Sequence, residues 1–411
     1  MRIVIEKSKI SGSIEAPQSK SYAIRLIFAS IITDVELDNL ILSRDVKAAL
    51  NAVEALGISY ENGRFIRRDT VRIVKDYVNV GESATVLRML IPIVSVIGGR
   101  ITIDGDESLR RRPLKAVVEA LTDRGVKIYG DRLPITIEGR LRDQYIEIRG
   151  DESSQYISGF MYAFTISGGG TIVIKPPISS KSYIYLTTDI LRSIGVEVKF
   201  SGNRIDVEPT EDITPYRGRV PGDYLLSSFY VASALLTGGR IYVYGLPQPA
   251  NYFGDHSIVE IYRSMGAISF YSNNTWFAEA VDTYRSIDID IDDAPDLAPS
   301  IAPIATIANG ISVIRGVRRL RIKESDRVMT ISSALKSFGI DVNISIDTIE
   351  IYGGEPQRSS IQCPNDHRIA MMVTPLALRV GGVIDAAECV DKSNPNFWRD
   401  IEYLGGRISY G

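Results

Sequence analysis

The chain has 411 residues, 45% of them hydrophobic and 24% charged, with a formal net charge of −3 and a mean hydropathy of +0.03. That length accommodates two or three domains with full cores, while the balanced charge argues against non-specific nucleic-acid or membrane-surface binding, and no stretch approaches the roughly 20 apolar residues of a membrane span. Cys363 and Cys389 are too few for a disulfide framework, and with only His256 and His367 beside them a zinc site is not expected, so the expectation is a reduced, cytoplasmic chain.

In chain order, MRIVIEKSKI alternates as a strand and lacks the layout of a signal peptide. APQSKSYAIR (16–25) reads as a loop entering a helix, with Ser19 or Ser21 available as cap. Glycines then recur at the end of apolar runs, each leading into a strand-like segment: Gly98, Gly168, Gly238, Gly310 and Gly381, at intervals of 70 to 72 residues. TDVELDNL, from Thr33, supplies a first copy without the glycine. A second series runs in phase at Gly57, Gly125, Gly195, Gly266, Gly339 and Gly405, each closing a helical segment where a left-handed stop is expected. Each unit therefore reads helix, strand, helix, hairpin, and the fold class predicted is α/β, with three units in each of two domains. EDITPYRGRVPG (211–222), polar and rich in Pro and Gly, is the preferred crossing between halves.

The helix that precedes each first-series position opens on polar residues: SKSYAIR (19–25), GESATVLR (81–88), DESSQY (151–156), GDYLLSS (222–228), APDLAP (294–299) and NDHRIA (365–370). Capping is the plain explanation for Ser153, Ser154, Asp223 or Asp296, worth about 1 kcal/mol each. It does not account for Lys20, Arg25, Arg88 or Arg368, which oppose the helix dipole. Cations at a helix start make an anion site with the exposed N–H groups around them. Two further clusters fit. SLRRRPLKA (108–116) has three arginines ahead of Pro113, the expected first helical position, against the plain reading of a solvated helix start. RIKESDRVM (321–329) places Lys323 and Arg327 on one helix face, where they repel unless an anion lies between them. Its plain reading is a self-satisfied network of Glu324–Arg327 and Lys323–Asp326 pairs.

Taken together, SKSYAIR, GESATVLR, DESLRRRPL, SSQ, SSKSY, PGDYLLSSF, PDLAP, KESDR, NDHRIAM and VDKSNPNF resemble, in order and over essentially the whole chain, the 5-enolpyruvylshikimate-3-phosphate synthase family. The resemblance implies two domains of three βαβαββ repeats, residues 1–18 with 222–411 and residues 19–221, with helix starts directed at the cleft between them. It implies transfer of the enolpyruvyl group of phosphoenolpyruvate to the 5-hydroxyl of shikimate 3-phosphate, with no cofactor and no metal, by a monomer that takes no nucleic-acid partner. Matched motif by motif, it assigns Lys20, Ser21, Arg25, Ser153, Ser154, Gln155, Ser180, Tyr183, Asp296 and Lys323 to shikimate 3-phosphate. Lys20, Ala84, Arg112, Gln155, Arg327, His367, Arg368 and Lys392 go to phosphoenolpyruvate, and Asp296, Glu324, Lys20 and Lys392 to catalysis.

The residue types suit that chemistry. Both substrates carry a phosphate and a carboxylate, which call for an array of Arg and Lys. The attacking hydroxyl must lose a proton while the methylene carbon gains one, work suited to carboxylates held among cations. In one place the chain departs from the family: Ala84 stands where the N-x-G-T segment usually has glycine, and its methyl is expected to disfavour glyphosate. In another, Arg319 replaces an asparagine carried by some members. The sister transferase acting on UDP-N-acetylglucosamine, with a catalytic cysteine or aspartate in this loop, is disfavoured because DGDESLRRRPL has no cysteine and its acids Asp104, Asp106 and Glu107 fit the DES–RP pattern of the resembled family instead. RNA 3′-phosphate cyclase shares the repeat but should be shorter. A nucleic-acid clamp should be broadly basic, which this chain is not.

Overall fold

The computed structural model describes residues 1–67 and 70–411. The chain divides into two compact units, a continuous one of residues 20–220 and a discontinuous one of residues 1–19 with 221–411. Each has its own apolar core.

Among the described residues there are six four-stranded sheets of one topology. The sheet formed by Tyr145–Arg149, Gly170–Lys175, Val198–Ser201 and Arg204–Val207 is representative. Its first two strands run parallel around the Ser154–Ile166 helix, and the hairpin that follows the Lys181–Ser193 helix adds its second strand antiparallel to Gly170–Lys175. The parallel pair requires a crossover, and the apolar helix supplies it.

Three sheets are completed by segments distant in sequence. Tyr216–Gly218 pairs parallel with Val35–Leu37, so part of the polar stretch read as a crossing is an edge strand of the first sheet. Gly12–Glu15 pairs parallel with Arg240–Tyr244. Arg2–Glu6 lies between Gly382–Asp385 and Arg407–Tyr410, antiparallel to both. The terminal strand therefore closes the last sheet, and the next strand opens the sheet of residues 240–279.

The first helix of each repeat is the buried one. Every residue of Tyr224–Leu236 is buried, as are almost all of Ala84–Ile97 and His367–Val380. Such helices are apolar on all sides because they are packed on all sides. In the continuous unit the Ala84–Ile97 and Ser154–Ile166 helices cross at Gly159, where a Cβ would lie 2.7 Å from the Met89 carbonyl oxygen. Only glycine allows this approach. It brings the polar first turns of the two helices side by side. The second glycine series stops its helices as expected, with φ from +79° at Gly339 to +102° at Gly405.

Two expectations need correction. Cys363 and Cys389 are not free thiols but are paired as a disulfide. Ser359–Gln362 runs parallel to Gly382–Asp385, so Cys363, next after the first strand, meets Cys389 in the Ala387–Lys392 turn that follows the second, despite a separation of 26 in sequence. Pro113 does not open a helix: Glu107–Arg110 is a short helix of its own, and the next begins at Lys115. No helix among the described residues is long and apolar enough to cross a membrane.

Candidate active site

In the discontinuous unit, four cations and three carboxylates come together from four segments. Asp296 lies in the 3-10 turn Pro295–Leu297, and Lys323 and Glu324 follow the turn Arg318–Ile322. Arg327 opens the Arg327–Ser337 helix, Arg368 stands in the first turn of His367–Val380, and Lys392 ends the turn Ala387–Lys392. Asp296 Oδ1 accepts from Arg327 Nη1 at 2.7 Å and lies 3.1 Å from Lys323 Nζ, while Oδ2 is 3.5 Å from Arg368 Nη2. Glu324 Oε2 accepts from Arg327 Nη2 at 2.6 Å, and Oε1 lies 3.5 Å from Lys392 Nζ.

The repulsion anticipated between Lys323 and Arg327 is thus relieved by the chain itself, with Asp296 as the anion between them. The expected Glu324–Arg327 pair forms. The Lys323–Asp326 pair does not, because Asp326 accepts from the Met329 N–H as helix cap and pairs with Arg321. Asp296 makes no capping bond. Ser153 and Asp223 do cap their helices.

Burial alone would push Asp296 toward the neutral acid, but Lys323, Arg368 and Arg327 overcome it and hold the carboxyl well below the usual carboxylate range. Burial acts on Lys323 in the other direction. Despite the pull of Asp296, its ammonium falls to about 8, with Arg327 and Arg319 adding to the effect. An acid that stays ionised beside a lysine poised near neutrality is suited to moving a proton.

Asp366, which was not among the expected site residues, is the anchor of this cluster. It is fully buried, accepts from Arg327 Nε at 2.7 Å and Nη2 at 3.1 Å, and caps the helix through the Arg368 N–H. Its place directly before His367-Arg368 was the available signal. His367 is itself fully buried, with Nδ1 4.0 Å from Asp366 Oδ1.

The continuous unit gathers the other expected residues at its helix starts. Lys20 opens the Lys20–Ala29 helix and is held by the buried Asp45 at 2.8 Å. Arg25, 1% exposed, donates to Thr187 Oγ1, Ser158 Oγ and the carbonyls of Ser21 and Tyr183. It therefore ties the Lys20–Ala29 helix to Ser154–Ile166 and Lys181–Ser193. Ser180, at φ +54°, precedes the last of these, which carries Tyr183. Ser153, Ser154 and Gln155 form one first turn, and Ala84 opens the neighbouring helix. The three arginines diverge: Arg110 pairs with Asp104, Arg111 lies near Glu107, and only Arg112 is buried.

The family profile described as EPSP synthase (3-phosphoshikimate 1-carboxyvinyltransferase) matches residues 4–401. The chain belongs to the EPSP synthase family. Proteins named 3-phosphoshikimate 1-carboxyvinyltransferase from Saccharolobus solfataricus and Sulfurisphaera tokodaii are 52% and 48% identical to it, over 100% and 99% of both chains. Among solved structures, EPSP synthase from Acinetobacter baumannii aligns with a TM-score of 0.80 at 24% identity, covering 100% of each chain. This similarity shows that the two-unit α/β architecture is that of EPSP synthases.

Proposed function

We propose that both groups of residues serve the one reaction of this family, transfer of the enolpyruvyl group of phosphoenolpyruvate to the 5-hydroxyl of shikimate 3-phosphate. The chain is then a 3-phosphoshikimate 1-carboxyvinyltransferase acting in the shikimate pathway to aromatic amino acids. Asp296, buried and held ionised by three cations, carries this reading.

In this reading Asp296 takes the proton of the 5-hydroxyl as its oxygen adds to C2 of phosphoenolpyruvate. Glu324, with Lys20 or Lys392, delivers a proton to the methylene carbon. In the second half the C–O bond to phosphate breaks, the methyl group returns that proton to regenerate the double bond, and the proton taken up by Asp296 leaves with the phosphate. Arg112, Arg327, Arg368 and Lys392 neutralise phosphoenolpyruvate, with Gln155, Ala84 and His367 completing its surroundings. Ser21, Arg25, Ser153, Ser154, Ser180, Tyr183 and Lys323 frame shikimate 3-phosphate. Lys20 and Gln155 touch both substrates. Arg25 already has protein partners, so its part includes fixing the helices around it. The enzyme acts as a cytoplasmic monomer.

The test is phosphate release from phosphoenolpyruvate with and without shikimate 3-phosphate. Release that requires this acceptor supports the assignment. Release that instead requires UDP-N-acetylglucosamine overturns the substrate while leaving the fold intact.

A further inference from the structure

Arg88 is a buried cation for which the mechanism above has no use. It is only 6% exposed, and it is the fifth residue of the Ala84–Ile97 helix, one turn in from the helix start. Among the described residues it has no ion pair, and its Nε and Nη2 have no hydrogen-bond partner. Its planar group lies 5.6 Å from the ring centroid of Tyr156. Its Nη1 donates to Gln155 Oε1, at 3.4 Å, and the guanidinium also acts on the Tyr156 hydroxyl.

An arginine has donors and no acceptor, so the amide atom that faces it must be the oxygen. Ser153 Oγ also donates to Gln155 Oε1, at 3.3 Å, and on the other side Gln155 Nε2 donates to Thr85 Oγ1 at 2.8 Å. Oε1 is thus taken up by two donors, and Nε2 retains a second hydrogen beyond the bond to Thr85. Both substrates present only anionic or hydroxyl oxygens to such a residue. A glutamine with its amide reversed would offer them an acceptor, which a carboxylate or phosphate repels.

We propose that Arg88 is a positioning residue for the reaction: it fixes the side-chain amide of Gln155 so that Nε2 is the atom offered to an anionic substrate oxygen. Its unpaired charge also favours anions at the adjoining first turns of the Ala84–Ile97 and Ser154–Ile166 helices. The close crossing at Gly159 holds those two turns in register. Leaving the guanidinium without a carboxylate is costly in a folded chain, and it is the arrangement an anion site requires.

The inference rests on Gln155 contacting substrate, and the experiment separates the two claims. KM for phosphoenolpyruvate and kcat are measured for Gln155→Ala, Arg88→Met, Arg88→Lys and the double variant Arg88→Met/Gln155→Ala, with thermal melting of each. Gln155→Ala is expected to raise KM about tenfold, and Arg88→Met by a similar factor. The double variant should be within about twofold of Gln155→Ala alone, because the arginine acts through the amide. Arg88→Lys, which keeps the charge but lacks the planar fork, should fall between wild type and Arg88→Met. If Arg88→Met does not fold, Arg88→Lys is compared in the same way with Arg88→Lys/Gln155→Ala. Effects that multiply in the double variant, or an Arg88→Met enzyme with unchanged KM beside an impaired Gln155→Ala, overturn the proposal. An unchanged KM in Gln155→Ala overturns instead the substrate contact on which it depends.

Discussion

Asp296→Asn removes one negative charge from a cluster of four cations and three carboxylates while keeping shape and one acceptor oxygen. Three cations lie within 3.5 Å of that carboxylate. Removing one partner from a buried ion pair costs about 3–5 kcal/mol. Asparagine still accepts from Arg327, so the expected loss is about 3 kcal/mol, or about 6–12 °C in melting temperature for a unit of this size. Without a base for the 5-hydroxyl proton, kcat should fall by about 10²–10⁴-fold. KM for phosphoenolpyruvate should not rise, because the site becomes more positive. Lys323 loses its main anionic neighbour, so its ammonium should deprotonate at lower pH than in the wild type. Steady-state phosphate release across pH, with melting curves at low and saturating phosphoenolpyruvate, reads all four quantities. A variant whose kcat stays within threefold of wild type refutes the role of base. One with unchanged kcat and a tenfold higher KM shows that Asp296 only helps to bind.

Lys323, with its ammonium pushed down to about 8, should give kcat/KM for shikimate 3-phosphate an alkaline limb near that pH, and Lys323→Arg should remove it; a wild-type profile flat to pH 10 contradicts this. The same shift affects stability. The unfolded lysine holds its proton to about 10.4, so the folded cation is a cost at neutral pH that disappears between about pH 8 and 10.4, and this group's contribution to stability rises with pH across that window. The Cys363–Cys389 bridge closes a loop of 26 residues in sequence separation. Its reduction, or Cys363→Ser/Cys389→Ser, should cost about 3–4 kcal/mol in unfolding experiments, and two titratable thiols in the native protein would contradict the pairing. Ala84→Gly should make the enzyme more sensitive to glyphosate with little change in KM for phosphoenolpyruvate. Equal inhibition of both forms would show that the methyl does not meet the inhibitor.

Much of the fold was legible because the repeat is written in local signals. The apolar runs, the helix-stopping glycines and the hairpins each require only a few neighbouring residues, and they recur with a period near 70. The family motifs were equally local: KESDR and NDHRIAM are short and contiguous. Residue types also indicated which helix starts carried charge against the dipole.

Partnership was not legible, because a charge shows its sign in the sequence but not its neighbour. That Asp296 is the anion between Lys323 and Arg327 depends on segments separated by about 30 residues meeting at the ends of two sheet strands. The same holds for Asp366, which resembles an ordinary cap until Arg327 is seen against it. Cys363 and Cys389 looked like two isolated thiols because only the parallel pairing of the strands that precede them brings them together. Arg88 gained a meaning when the helix crossing at Gly159 set it against Gln155. The sequence by itself determined the repeat, the helix ends and the inventory of charges. Tertiary structure alone decided which charges face one another, because burial and long-range contact, not local propensity, set the energy of an ion.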